Sequence, residues 1–154
     1  MLLGDADFVK VPVERLISRQ YANVLAERID AGRTKPLVEY GRYLPSNDGG
    51  TSHFSIIDAK GNAVACTETI NTTFGSFVVE PKFGIVLNNQ MDDFAAVPGK
   101  PNAFGLMQSE ANAVEPGKRM LSAMTPAILL DRDGEVRLVT GSPGGPTIIS
   151  TVTQ

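Results

Sequence analysis

Tryptophan is absent from the 154 residues, cysteine and histidine occur once each, and aromatic residues make up only 6%. A lone Cys66 excludes an internal disulfide framework, and with His53 as its single companion it excludes a Cys/His zinc site. Positive charge is also scarce. Fourteen Lys and Arg stand against seventeen Asp and Glu, a formal charge of −3, which argues against nucleic acid or an anionic membrane as partner. No apolar run approaches the roughly 18 residues needed to span a bilayer. The start, Met1 to Asp7, has neither the basic region nor the apolar core of a signal peptide. The far end, Ile148 to Gln154, stops without a helix cap or a polar tail. Both ends read like the middle of something, and a fragment of a longer chain is the expectation.

What is present is ordinary for a soluble globular domain: 42% hydrophobic and 20% charged residues, with fifteen Gly and ten Pro pointing to many loops. Pro12 is placed to open a helical turn, and Ser18 to cap a helix whose Tyr21, Leu25 and Ile29 share one face, ending at Gly32. Thr34 to Gly50 is punctuated by Pro and Gly and ends in Ser-Asn-Asp-Gly-Gly, a solvated tether. Ser52 to Asp58 and Ala63 to Ile70 read as a hairpin about Ala-Lys-Gly-Asn, followed by a short apolar run at Phe77 to Val79 and a buried strand at Gly84 to Asn88. Residues 96–118 read as a long surface loop of a length that is usually functional or mobile. Met124 to Asp131 and Val136 to Thr140 form another hairpin, and a helix starts near Thr147. Strands precede each helical segment without βαβ alternation. The fold class is therefore α+β, an antiparallel sheet packed on helices.

The chemistry centres on Gly49-Gly50-Thr51. Thr51 heads a strand and lies beside the return strand of its hairpin. Cutting the Gly50–Thr51 bond would leave a hydroxyl and a free α-amine on one residue, and that amine can act as base for its own hydroxyl. The alternative is a flexible loop entering a strand. Gly144 and Gly145, between a strand and a helix, suit an oxyanion hole; a phosphate site and a plain tight turn are the other readings. Asn71, Gln90, Asp93 and Ser122 each sit at or just past a strand end, where groups of one rim converge. Asn and Ser suit a carboxylate and Asp an ammonium, so together they suit an α-amino-acid head group; each alone also suits a turn cap. His53 shares a strand face with Thr51, and either pairs with a hydroxyl in catalysis or is a packed, hydrogen-bonded strand residue. Cys66 is expected to be a small buried hydrophobe. Asp131-Arg132-Asp133-Gly134 faintly resembles a calcium loop, but the flanking hairpin pattern argues against it, and no metal or cofactor is assigned.

Four motifs in order, Thr51-Ser52-His53-Phe54-Ser55, Asn71-Thr72-Thr73-Phe74-Gly75, Leu87 to Phe94 (Leu-Asn-Asn-Gln-Met-Asp-Asp-Phe) and Thr140 to Gly145 (Thr-Gly-Ser-Pro-Gly-Gly), resemble the γ-glutamyltranspeptidases. These are N-terminal-nucleophile hydrolases of αββα sandwich fold, which this chain would hold incompletely. The resemblance implies that residues 1–50 end the large subunit and 51–154 begin the small subunit, with self-cleavage at Gly50–Thr51. It makes Thr51 the nucleophile, Thr69 its supporting hydroxyl, and Gly144 and Gly145 the oxyanion hole. Asn71, Gln90, Asp93 and Ser122 would hold the γ-glutamyl moiety. It implies a γ-glutamyl substrate such as glutathione, water or an amino-acid or peptide acceptor, the remaining parts of both subunits as partners, and a periplasmic or extracellular setting. Ala123 stands where the family commonly has a second serine, and Phe104 where bacterial members with a pocket lid often have tyrosine. The arginine that pairs with the substrate carboxylate lies outside this sequence, so these residues alone are expected to be inactive.

Overall fold

Two turns whose side chains satisfy the local backbone set the two longest hairpins of the computed structural model, which describes residues 3–34 and 50–154. Strands β1 (Thr51–Ile57) and β2 (Ala63–Thr69) pair antiparallel with Thr51 opposite Thr69. At the far end Asp58 accepts from the N–H groups of Lys60 and Asn62 and from the Asn62 side chain, and Gly61 takes φ +83°. A carboxylate that collects its neighbours' donors closes such a turn. Asp131 repeats the device between β5 (Ala127–Leu130) and β6 (Val136–Thr140), accepting from Asp133 and Glu135. A bulge between Leu129 and Leu130 follows from that turn's length.

Between them lies a hairpin of two-residue strands, β3 (Val79–Glu80) and β4 (Ile85–Val86). The expected buried strand at Gly84 to Asn88 is therefore corrected. Ile85 is 56% exposed and Leu87 44%, because an apolar run is buried only where a further layer covers it, and none of the described residues does.

The described residues divide into two compact units, one built from 3–34 and Asp92–Leu121, the other from 50–91 and Ser122–Gln154. In the first, α1 (Val13–Leu16) follows Pro12, and Ser18 caps α2 (Arg19–Ala26) by accepting from the Tyr21 N–H at 3.1 Å. The helix ends at Ala26, short of the expected Gly32, and Ile29 lies beyond it at 73% exposure. Asp30 takes the Gly32 N–H and the Arg33 side chain instead, a local turn that competes with further helix. The expected tether falls mostly on residues 35–49, outside the described residues.

Residues 96–118 are the irregular, largely exposed segment expected, but one that also contributes buried anchors. They carry a 3₁₀ turn, Glu110–Asn112, and the buried side chains of Phe104, Gln108, Asn112 and Lys118. Phe94, Ala95 and Phe104 are the buried apolar residues among those described in this unit. So small an apolar core is supplemented by ionic contacts to the N-terminal segment. Arg119 donates to Asp5 through its backbone N–H (2.8 Å), Nε (3.0 Å) and Nη2 (2.6 Å), and through Nη2 to Asp7 at 2.6 Å. The adjacent Lys118 lies 5.6 Å from the centre of the Phe8 ring and 2.9 Å from Glu115. The Asp5 side chain is 2% exposed, and the Arg119 hydrogen bonds hold its carboxyl well below the usual carboxylate range despite its burial.

A depressed carboxylate contributes stability that is complete above its unfolded pKa, about 3.9, and lost as pH falls through the folded value. Asp5→Asn should therefore lower the melting temperature at pH 7, and the gap from wild type should shrink steadily below about pH 4. Thermal melts between pH 2 and 7 test this; a gap independent of pH would remove the ion pair from the account.

Candidate active site

The paired strands place two hydroxyls face to face. Thr51 Oγ1 and Thr69 Oγ1 are 3.0 Å apart, Thr69 Oγ1 is 3.1 Å from the Gly50 carbonyl oxygen, and it accepts from the Asn71 N–H at 2.8 Å. A hydroxyl has one proton and two lone pairs. The Thr69 proton goes to the Gly50 carbonyl, so the Thr51 hydroxyl is the donor in the pair. The Ile70 N–H also reaches the Gly50 carbonyl, at 3.1 Å. The peptide bond before Thr51 thus has a carbonyl polarised by two donors. Gly50 itself has no room for a side chain: a Cβ would overlap the Thr72 carbonyl. This steric demand was not among the sequence expectations.

Beyond Thr69 the chain turns through Asn71, which adopts φ +78° and is buried. Its side-chain amide donates to the Asn89 carbonyl at 3.1 Å, while Asn89 Oδ1 accepts from the Thr72 N–H and hydroxyl. These bonds tie the end of β2 to the 3₁₀ turn Gln90–Asp93. Asn71 is therefore engaged in holding the segment that leads to Gln90, in line with the turn-cap alternative. Asn89, the second Asn of Asn-Asn-Gln, was missed; its signal was the motif itself.

His53 is the packed, hydrogen-bonded residue. Its Nδ1 lies 2.8 Å from Thr67 Oγ1 and its Nε2 2.9 Å from Ser55 Oγ, which leaves neither ring nitrogen for the Thr51 hydroxyl. The ring lies against Gly141, where a Cβ would overlap it. That contact brings the end of β6, three residues before Gly144, onto the strand that Thr51 heads. Gly144 (φ +132°) and Gly145 (φ +50°) hold left-handed conformations, and among the described residues none accepts from either N–H. The Gly144 carbonyl accepts from the N–H and hydroxyl of Thr147, which starts α3 (Ile148–Thr153). Two neighbouring N–H groups without an acceptor among the described residues suit an anion-binding reading.

Ser122 is exposed, and its hydroxyl accepts from the Met124 N–H at 3.1 Å. Cys66 is half-buried, opposite Phe54 in the register, so the buried expectation is corrected. It belongs to the outer face of the hairpin, where Phe54 and Val64 are also exposed. Among the described residues no cluster of His, Cys, Asp or Glu is arranged to hold a metal, and no helix is long and apolar enough to cross a membrane.

Asp93 belongs to the other unit and is half-buried. Burial pushes its carboxyl up to about 6, and the neighbouring Asp92 charge adds to the rise.

The family model described as Gamma-glutamyltranspeptidase matches residues 1–154. The chain belongs to the γ-glutamyltranspeptidase family. It is 53% identical over 154 residues to the glutathione hydrolase proenzyme of Escherichia coli, a match covering 99% of this chain and 26% of that protein. It is 43% identical over 159 residues to the putative inactive glutathione hydrolase 4 of Arabidopsis thaliana, covering all of this chain and 82% of that one. The solved γ-glutamyltranspeptidase of Pseudomonas nitroreducens complexed with L-DON is similar with a TM-score of 0.63 and 56% identity, over 66% of this chain and 52% of that one. The chain thus spans about a quarter of the length of its Escherichia coli relative. The mixed helix-and-sheet architecture agrees with membership of the γ-glutamyltranspeptidase family.

The raised Asp93 carboxyl gives a signed expectation. The folded state binds more protons than the unfolded one between about pH 4 and 6, so its ionised carboxylate lowers stability as pH rises through that window. Asp93→Asn should raise the melting temperature at pH 8 by a few degrees and leave it unchanged at pH 4. Equal shifts at both pH values would show that ionisation plays no part.

Proposed function

We propose that this sequence spans the subunit junction of a γ-glutamyltranspeptidase precursor, with residues 1–50 closing the large subunit and 51–154 opening the small one. The precursor cuts itself between Gly50 and Thr51, and Thr51 then transfers or hydrolyses the γ-glutamyl group of glutathione and related amides. The observation that carries this reading is the Thr69 hydroxyl, which accepts from Thr51 and donates to the carbonyl of the bond to be cut. Thr51 Oγ attacks the Gly50 carbonyl carbon. Its proton moves to Thr69 as the Thr69 proton moves to the developing oxyanion, and the Ile70 N–H supports the charge. Collapse re-forms the C=O bond as that hydroxyl proton passes to the Thr51 nitrogen, which leaves as an amine. Water then hydrolyses the Gly50–Thr51 ester, leaving a carboxylate on Gly50 and a free α-amine on Thr51.

That amine has an unperturbed pKa of about 7.7–8.0, so a substantial fraction is neutral at physiological pH and takes the hydroxyl proton in the second reaction. Thr51 Oγ attacks the substrate γ-carbonyl, the N–H groups of Gly144 and Gly145 stabilise the oxyanion, and a γ-glutamyl ester forms. Water or an acceptor amine releases it. Asp93 receives the substrate α-ammonium, and Asn71, Gln90 and Ser122 complete the head-group site. The faces of β1–β2 and β5–β6 that carry exposed Phe54 and Ile56, and exposed Leu129 and Leu138, support an αββα sandwich completed by further chain.

A second reading has one observation in its favour, the similarity to the putative inactive Arabidopsis protein across 82% of that chain. Here the polypeptide stays uncut, without activity, and works through a partner.

Intact-mass analysis of the full-length polypeptide separates the two. The first reading expects two chains divided between Gly50 and Thr51, none with Thr51→Ala, and cutting slowed by about 10²-fold or more with Thr69→Val. A single uncut chain that still hydrolyses a γ-glutamyl anilide would sink it, and a single silent chain selects the second.

A further inference from the structure

Asn112 has a fully buried side chain (0% exposed), and the reaction just described makes no use of it. Its Nδ2 donates to the Asp93 carbonyl at 2.9 Å and to Gln108 Oε1, while its Oδ1 accepts from the Leu121 N–H at 3.1 Å. The Asp93 carbonyl and the Leu121 N–H fix the orientation of the amide, because turning it over would set oxygen against oxygen and N–H against N–H. The Asn112 backbone adds to this grip. Its carbonyl accepts from the Ala95 N–H at 2.9 Å, and a parallel bridge joins Ala95 to Ala113.

The two main-chain groups held by this one side chain are placed with a pattern. One belongs to Asp93 itself, and the other to Leu121, the residue before Ser122. Asp93 is assigned above to the substrate α-ammonium, and Leu121, which anchors the same amide, lies 28 positions away in the sequence. We propose that Asn112, seated by Gln108, is the positioning residue that fixes the Asp93 segment for recognition of the α-ammonium of an amino-acid head group. The inference rests on the proposed role of Asp93.

The physical basis is the cost of leaving a buried amide partner unmet together with the tolerance of a charged clamp for error. A carboxylate must meet an ammonium within a few tenths of an ångström to select for it, and a side chain is held that well only when its backbone is held first. Asn is the residue type that gives both signs of hydrogen bond from one rigid plane. Leu has nearly the same shape and gives neither. Asp keeps the acceptor toward Leu121 and gives up both N–H donors.

The test uses the full-length enzyme and two anilides, γ-glutamyl and glutaryl, which differ only in the α-amine. Asn112→Asp and Gln108→Leu should raise KM for the γ-glutamyl anilide about tenfold with a smaller fall in kcat. Hydrolysis of the glutaryl anilide should change less than about twofold, so the preference for the amine falls about tenfold. Self-cleavage should continue in both variants. A purely structural role would depress both substrates together, and that result, or an unchanged preference, overturns the inference. Gln108→Leu keeps the test open if Asn112→Asp does not fold, since it leaves Asn112 in place. Asp93→Asn is the control. If it abolishes the preference and the Gln108 and Asn112 variants do not, this inference alone fails; if it leaves the preference intact, the assignment of Asp93 fails and takes the inference with it.

Discussion

The Thr69 hydroxyl has one proton and three neighbours, and the candidate site depends on how that proton is shared. With the proton on the Gly50 carbonyl, both lone pairs are filled by the Asn71 N–H and the Thr51 hydroxyl, and no capacity is left over. The arrangement exists only in one register. A slip of one residue would set Glu68 or Ile70 opposite Thr51 and turn every side chain of one strand to the other face. The register is fixed at the distant end, where Asp58 gathers three donors in the turn. Those hydrogen bonds, the Asn62 side chain foremost, lower the Asp58 pKa, and they hold the turn that sets which residues face each other along the strands.

The unit that carries Asp93 is organised on different terms. Its buried apolar residues are few, while Asp5, Gln108, Asn112 and Lys118 are buried beside them. Buried polar groups specify a fold only when their partners are supplied, and here they are: Asp5 by Arg119, Lys118 by Glu115 and the Phe8 ring, Asn112 by Asp93, Gln108 and Leu121. Residues 118 and 119 grip residues 5–8. Those two segments lie on opposite sides of the Gly50–Thr51 bond, so the contacts do not depend on that bond being intact.

Local signals in the sequence were the legible ones. The Ser18 cap, the hairpin turns at Ala-Lys-Gly-Asn and Arg-Asp-Gly-Glu, and the start of the last helix near Thr147 are all decided within a few residues, and the structure has them. Expectations that rest on distant partners fared worse. Gly84 to Asn88 read as buried because the run is apolar, yet burial is a property of what covers a strand. Residues 96–118 read as a loop because Pro and Gly break any period, while their anchors, Phe104 and Asn112, have no periodicity to betray them. The end of α2 was lost to a local competitor, the Asp30 side chain. Asn112 is the plainest case. A lone Asn in an irregular segment carries no signal of its own, since its meaning comes from Asp93 and Leu121.

The same division explains why the candidate nucleophile is easier to read from the sequence than the candidate clamp. Thr51, Thr69 and Gly50 meet within a single hairpin, where spacing determines facing, and Gly141, which reaches that hairpin from β6, has the His53 ring where any side chain would have to be. His53 also shows how far such reasoning reaches. Its face was predictable from the period of two, but the occupation of both its nitrogens depends on Thr67 across the strand and Ser55 along it. With both nitrogens engaged, the histidine braces β6 against β1, and the proposed proton transfer at Thr51 falls to the threonine pair and, if the bond is cut, to the amine that the cut would create. A site of this kind needs no separate base, and its chemistry is set by the pairing of two strands.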